Sequence, residues 1–485
     1  MPRTVGKLAW PRAPGSPAGR MRTGGGGRAV AGGAQRPDAL AARAGGTSAA
    51  PAHAFRPREE FAFPPTTPSW YIGHMHRAVR SLPSLLARYP PPLVVEVRDA
   101  RLPLTSINPN LEALLQSAPS ARERVRIDAD TSLVGWAARR LIVYTKQDLV
   151  EPEKIGPVTT ALQKHGGHEA MFVETRRPGD VRRVYDWICA RAKLLGKAAA
   201  RATARTGSGQ RRSRLSGAAR YTPTPDIGVR LLLVGMPNVG KSSLLNALRF
   251  AGTGKGTAAS THPHPGHTRK VTGTVRITPP PPSLATMEME GNVIDMKALV
   301  AQQAQQGPSV YAYDTPGIMV PNLGGPGTEG PERALKLAVT GCIKQSLFDV
   351  EVLVDYLLYR LNRRYAAALT AGGHAPLPPY TALMQHPAPT DDVHAFLTSV
   401  AARAPGARQQ GGALSRAVAA EYVLSQFRHG ALGARELDLA LDEDAHARDA
   451  VGTRVDELVR THLQATAARL AEPRQPAPRT GSNQK

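Results

Sequence analysis

A glycine-rich phosphate loop in the middle of the chain constrains this sequence more than any other feature. The run RLLLVGMPNVGKSSLLNAL, residues 230–248, reads as an apolar strand, a tight turn and a helix start. Gly235, Gly240, Lys241 and Ser242 fall at the spacing GxxxxGK followed by Ser or Thr. The strand before and the helix after lift that match above a chance glycine turn. Loop N–H groups can wrap phosphate oxygens, Lys241 can reach the outer phosphates and Ser242 can ligate Mg²⁺. Val239, Gly240 and Ser243 complete the expected nucleotide contacts. Such a loop ordinarily opens its domain, yet here a long segment with its own strand and helix pattern precedes it.

That upstream segment holds three short apolar runs, PLVVEV, LIVYT and MFVE, each followed by a helical pattern. Strands alternating with helices indicate a parallel α/β sheet. The second run closes on TKQDL, residues 145–149. An aspartate at a strand end, Asp148, can accept hydrogen bonds from the N1–H and 2-amino groups of guanine. Adenine would set an acceptor against that carboxylate, a mismatch of several kcal/mol when buried. Lys146 can lie along the base, and Thr145 stands where such motifs usually carry Asn. Downstream, YDTPG ends another strand and offers Asp314 to the Mg²⁺ shell and the Gly317 amide to a γ-phosphate. Thr268, in PGHTR, is the second hydroxyl expected on the metal side. Base-reading residues therefore precede phosphate-binding residues, the order expected of a GTP hydrolase with circularly permuted motifs.

The sequence of motifs SWYIGHM, DARLPLTSINP, TKQD, GMPNVGKSS, PGHTR, DTPGI and LAVTGCIKQ resembles the YlqF/RbgA-type permuted GTPases, in particular their mitochondrial members. The resemblance runs from about Trp70 to Leu361. It implies a permuted P-loop G domain, a mostly parallel sheet with helices on both faces, followed by an all-helical C-terminal domain. It also implies a GTP/GDP cycle in assembly of the mitochondrial large ribosomal subunit, acting through rRNA and ribosomal proteins from the matrix side, with peripheral contact to the inner membrane. Strand 94–97 then corresponds to the fourth strand of an ordinary G domain. In Ras-like enzymes a Gln just after DxxG orients the attacking water. Ile318 occupies that place here and cannot do so, which leaves His74 of the GHM motif as the family-consistent catalytic candidate beside Gly317. Packing or RNA contact is the alternative role for His74. Asn238 resembles the loop Asn that helps hold K⁺ in potassium-activated GTPases. The segment VETRRPGD matches the usual SAK-type loop poorly, so Thr175 and Arg176 are weak nucleotide contacts.

Charge and composition divide the rest of the chain. Lys and Arg total 62 against 38 Asp and Glu, a net charge of +24, which points to a polyanionic partner, RNA ahead of anionic membrane. Residues 1–50 carry seven Arg, one Lys and a single acid, Asp38, without the apolar core of a secretory signal. This is the composition of a mitochondrial transit peptide, although a disordered basic tail has the same composition. Cys189 and Cys342 are the only cysteines, too few for a zinc site or a disulfide framework. No apolar run is long enough to span a bilayer. The expected organisation is a disordered N-terminus over 1–60 and the G domain over 68–330. Within that domain lie a flexible basic linker at 193–228, able to bind RNA, and a low-complexity insertion at 279–309. A separate helical, ribosome-binding domain over 331–472 and a disordered tail at 473–485 follow. Leu335, Ala338, Val339, Cys342 and Ile343 form one helical stripe of that domain, and Leu414, Val418 and Tyr422 belong to another. Two other functions stay open: a permuted GTPase of a nucleolar or small-subunit pathway, and a basic RNA-binding scaffold with an inactive nucleotide site.

Overall fold

The computed structural model describes residues 55–64, 80, 82–86, 92–117, 124–126, 132–134, 139–205, 228–256, 259, 274–280, 307–319, 323, 328–372, 376–408, 412–433, 435–439 and 451–471. The apolar runs become strands of one sheet: β1 (Leu93–Asp99), β4 (Arg140–Thr145), β5 (Glu169–Val173), β6 (Val229–Val234), β7 (Val275–Arg276) and β8 (Val310–Asp314). A separate two-stranded ribbon pairs β2 (Arg124–Arg126) with β3 (Ser132–Val134). The main sheet runs β5-β4-β1-β6-β8-β7, parallel throughout except for β7, which is antiparallel to β8. Strands β1 and β4 are buried along their whole length, as expected where helices cover both faces. The phosphate-loop strand β6 lies between β1, which precedes it in the chain, and β8, which follows it, so the permutation is a property of the topology.

The register brings the functional strand ends together. Asp99 pairs with Thr145, Glu96 with Val234 and Leu233 with Asp314. The carboxyl ends of four neighbouring strands thus open on one edge, where open α/β sheets bind their ligands.

Five helices flank or follow these strands in ways that bear on the site. They are α1 (Pro109–Ser117), α2 (Pro152–Gly166), α3 (Pro178–Arg205), α4 (Lys241–Thr253) and α5 (Glu329–Val339). Beyond them come α6 (Val350–Gly372), α7 (Val393–Ala401), α8 (Arg416–Arg428) and α9 (Val451–Ala471). The C-terminal helices share their core with the sheet: Leu231 and Leu233 belong to the same buried cluster as Val339, Leu357 and Phe427. Helix α9 turns back onto α2, with Val455 and Val459 packed among Val158, Ala161 and Leu162. No helix among the described residues is long and apolar enough to cross a membrane.

Three local expectations need correction. Residues 55–60, placed by composition in a disordered terminus, are packed on α6. Phe61 lies edge-on to Tyr356 at 5.4 Å, Arg58 pairs with Asp355 at 2.6 Å, and Tyr359 donates to the Glu59 carbonyl. The basic linker starts as helix, because α3 continues to Arg205 through KAAARATAR, whose Ala, Lys and Arg are strong helix formers. Of the stripe expected at Leu414, Val418 and Tyr422, the last two are half-buried and pack against the core, and Leu414 alone departs. Leu414 is exposed and bridges Arg408 ahead of the Ser415 N-cap, whereas Ala419, Ala420, Val423, Leu424 and Phe427 form the buried face of α8. The stripe on α5 and its following turn is buried at all five expected positions, Leu335, Ala338, Val339, Cys342 and Ile343. Leu82 and Leu86 are buried in a short helical segment, while residues 281–306 of the insertion lie outside the described residues.

Candidate functional site

The loop between β6 and α4 is shaped by two glycines. Gly235 has φ 144°, and a Cβ there would stand 2.1 Å from the Val97 carbonyl oxygen, so no other residue fits. Gly240 has φ 96° and directly precedes α4, whose free N–H groups and dipole favour an anion at that end. Asn238 itself takes the left-handed conformation, φ 55°. Lys241 is buried, and its Nζ donates to the carbonyls of Met236 at 2.7 Å and Gly235 at 3.3 Å. Burial pushes this ammonium down to about 8, with the Asp314 carboxylate opposing the shift.

Ser242 and Asp314 meet across the β6–β8 pair, Ser242 Oγ donating to Asp314 Oδ2 at 2.7 Å. The other carboxylate oxygen, Oδ1, is buried without a hydrogen-bond partner. Burial raises the Asp314 carboxyl, while Lys241 and Ser242 pull it down. A hydroxyl and a carboxylate with one unsatisfied oxygen are a hard, all-oxygen donor set that fits Mg²⁺. This ion is commonly held by one or two protein groups together with substrate phosphates. Among the described residues no group of three or more His, Cys, Asp or Glu forms a metal cluster of its own.

The DTPG segment is pressed onto this loop. Thr315 Oγ1 donates to the Leu233 carbonyl at 2.6 Å, and the Ile318 amide donates to the Gly235 carbonyl at 3.0 Å. At Gly317 an added Cβ would lie 2.5 to 2.7 Å from the ring, nitrogen and Cα of Pro237. The Ile318 side chain is fully buried with Leu82, Leu86 and Leu111, and Asn108 Nδ2 holds its carbonyl at 2.9 Å. The residue after DxxG therefore points into the core.

At the end of β4, Thr145 is buried and bonds through its hydroxyl to the Val239 carbonyl, with the Arg98 carbonyl at 3.2 Å. Thr145 thus fastens the end of β4 to the phosphate loop, work that its hydroxyl does without the amide of Asn. Lys146 is left-handed, φ 62°, and its Nζ bonds Asp99 Oδ2 at 2.7 Å and the Asn238 carbonyl at 2.8 Å. Asp148 is exposed in the single 3-10 turn Gln147–Leu149 that follows. Beyond β5, Thr175 is half-buried and Arg176 exposed. His74 and Thr268 lie outside the described residues.

Several contributors carried no assigned role in the sequence. Asp99 and Arg101, within DARLP, sit fully buried at the end of β1 and pair at 2.7 Å. Their signal was the run of charges, Arg98, Asp99 and Arg101, that closes the strand. Gly341, in LAVTGCIKQ, accepts a hydrogen bond from Asn238 Nδ2 at 3.0 Å, so the turn after α5 touches the phosphate loop. Arg428 of α8 in turn donates to the carbonyls of Ala338 and Val339, satisfying the end of α5.

The chain is similar to known GTPases. The family model described as "50S ribosome-binding GTPase" matches residues 230–354. "Mitochondrial GTPase 1" of Schizosaccharomyces japonicus is 31% identical over 393 residues, covering 78% of this chain and 93% of that protein. The protein of the same name in Schizosaccharomyces pombe is 30% identical over 392 residues, covering 79% and 93%. "Mitochondrial ribosome-associated GTPase 1" of Mus musculus is 26% identical over 294 residues, covering 61% and 67%.

Proposed function

The chain belongs to the family of circularly permuted GTPases that includes the Mitochondrial GTPase 1 proteins, and we propose that it acts as a GTP-controlled switch in assembly of the mitochondrial large ribosomal subunit. Its family is one of GTP-binding and GTP-hydrolysing enzymes. The observation that carries the switch reading is the contact of Asn238 with Gly341. Through it, a loop that holds phosphates touches the turn from which the C-terminal helices depart. The names of relatives associated with mitochondria and ribosomes support the setting, as does the net charge of +24. The arginine-rich, acid-poor residues 1–50 support import into the matrix.

In this reading GTP lies along the carboxyl ends of β1, β4, β6 and β8. Backbone N–H groups of the loop, among them those of Val239, Gly240 and Ser243, cradle the phosphates, and Lys241 turns from its loop carbonyls to the β- and γ-oxygens. Ser242 and Asp314, with Thr268, hold Mg²⁺, which when bound neutralises charge on the phosphates. Asn238 would contribute to a K⁺ site. Asp148 accepts from guanine N1–H and the 2-amino group, and Lys146 lies along the base. Gly317 brings its amide to the γ-phosphate. A buried isoleucine follows it, so water must be oriented by another group, and His74 takes that role when the ribosomal particle presses the N-terminal segment inward. The strap at residues 55–63, which precedes His74 in the chain, is fixed to α6.

Co-sedimentation with purified mitochondrial large subunits tests the switch. The protein loaded with a non-hydrolysable GTP analogue should pellet with the particle and the GDP form should stay behind. Equal partition of both forms would refute it.

A further inference from the structure

The ammonium of Lys146 does not hang free over the expected base position. It is gripped from below by Asp99, a residue with no part in the established nucleotide motifs. Asp99 ends β1 directly opposite Thr145 in the register, so its carboxylate rises beside the left-handed Lys146. It is wholly buried. Its Oδ1 accepts from the amide of Arg101 at 3.1 Å and from Nε at 2.9 Å. Its Oδ2 accepts from Arg101 Nη2 and from Lys146 Nζ, each at 2.7 Å. Arg101 is fixed in turn by the Thr340 carbonyl at 3.2 Å and by the face of Phe427, 5.6 Å from its guanidinium carbon.

We propose that Asp99, clamped by Arg101, is the positioning residue that holds Lys146 in its base-stacking orientation. The proposal rests on the reading of Lys146 as a guanine contact given above. The charge arithmetic favours it. A buried carboxylate needs a counter-ion, and the bidentate Arg101 already supplies one. Lys146 is therefore not required to neutralise Asp99, and its 27% exposed side chain would lose rotamer freedom for a modest return if its only use were the ion pair. What the second bond achieves is geometric. A flexible four-carbon stem is pinned at its tip, beside the loop carbonyl of Asn238, before nucleotide arrives. Burial works against ionisation of Asp99, yet Arg101 and Lys146 hold its carboxyl well below the usual range, so it stays an acceptor at any physiological pH. Through Thr340 and Phe427 the clamp is also attached to the C-terminal helices.

Release of fluorescently labelled GDP from the full-length protein tests this. Asp99→Asn and Lys146→Met should each speed release about tenfold, corresponding to about 1.4 kcal/mol of binding free energy. The double variant should release no faster than Lys146→Met alone, because both changes disable one device. Asp99→Asn leaves Arg101 buried without its counter-ion and can fail to fold. The neutralised pair Asp99→Asn with Arg101→Gln removes that charge, and it should show the same fast release at temperatures below its melting transition. If Lys146→Met speeds release while the neutralised pair releases at the wild-type rate, or if the effects of Asp99 and Lys146 add in full, the positioning role is overturned and the base contact survives. If Lys146→Met itself releases at the wild-type rate, the reading of Lys146 falls, and the clamp with it.

Discussion

Asn238 donates its side-chain amide to the carbonyl oxygen of Gly341 at 3.0 Å. One residue of the phosphate loop thereby holds the turn that closes α5, and Arg428 of α8 donates to the carbonyls of Ala338 and Val339 just ahead of that turn. Phosphate loop, turn and C-terminal helix form a chain of direct contacts. In hydrogen exchange, the wild type should show protection of residues 340–345 that differs between its GTP-analogue and GDP forms. Asn238→Ala should abolish that difference. If it persists, the coupling runs elsewhere.

Gly317 is packed too closely on Pro237 to accept a side chain, the nearest atoms including backbone. Gly317→Ala must displace one loop from the other. Because only the triphosphate is proposed to use the Gly317 amide, affinity for a GTP analogue should fall about tenfold or more, a loss of about 1.4 kcal/mol, while GDP affinity changes little. Isothermal titration with each nucleotide decides this. Equal loss for both would place Gly317 in the framework only.

His168 reports on pH. Burial and the neighbouring Arg140 guanidinium push its imidazole down to about 4, and Arg140 Nη1 lies 3.3 Å from Nε2, so the folded protein keeps the ring neutral. The unfolded chain takes up that proton near pH 6.5, which means stability is full above about 6.5 and drains as pH falls toward 4. Glu96 acts in a lower window. Burial opposes its ionisation, but Arg140 and Arg98 hold its carboxyl at about 2, so its contribution is lost as pH falls from about 4.5 toward 2. Denaturant midpoints measured from pH 7 to 5 should decline in the wild type and decline less in His168→Gln. Parallel declines would exclude His168.

Phe61 anchors the strap that leads into the GHM segment, and its ring lies 5.4 Å from Tyr356 and 5.6 Å from Tyr359. Phe61→Ala should cost about 3 kcal/mol by urea denaturation, within the range for buried aromatic truncations. It should also lower particle-stimulated GTP turnover more than basal turnover, since His74 lies along the same segment. Unchanged stimulation would separate the strap from catalysis.

The sheet and the phosphate loop were legible because they rest on local signals. A strand buried on both faces reads as a near-continuous apolar run, as LLLV in β6 and LIVY in β4 do, and the glycine spacing follows from backbone angles that only glycine adopts freely. What escaped depends on partners far away in sequence. Arg58 and Glu59 look like part of a disordered terminus until Asp355 and Tyr359 are placed against them. Asp99 and Arg101 read as an ordinary charged strand end until Lys146 and Thr340 close around them. Leu414 is different, because a local signal was present: Ser415 caps α8 and accepts from the Val418 amide, which sets Leu414 outside that helix.

The most direct test joins Asp148, the residue proposed to read the base, to the ribosomal particle. An amide at position 148 can donate to the extra carbonyl of xanthine, so Asp148→Asn should exchange guanine for xanthine preference. Co-sedimentation of this variant with mitochondrial large subunits should then require a non-hydrolysable xanthosine triphosphate and ignore the GTP analogue. Association that still follows the GTP analogue, or that proceeds equally with either nucleotide or none, would contradict a switch read through Asp148.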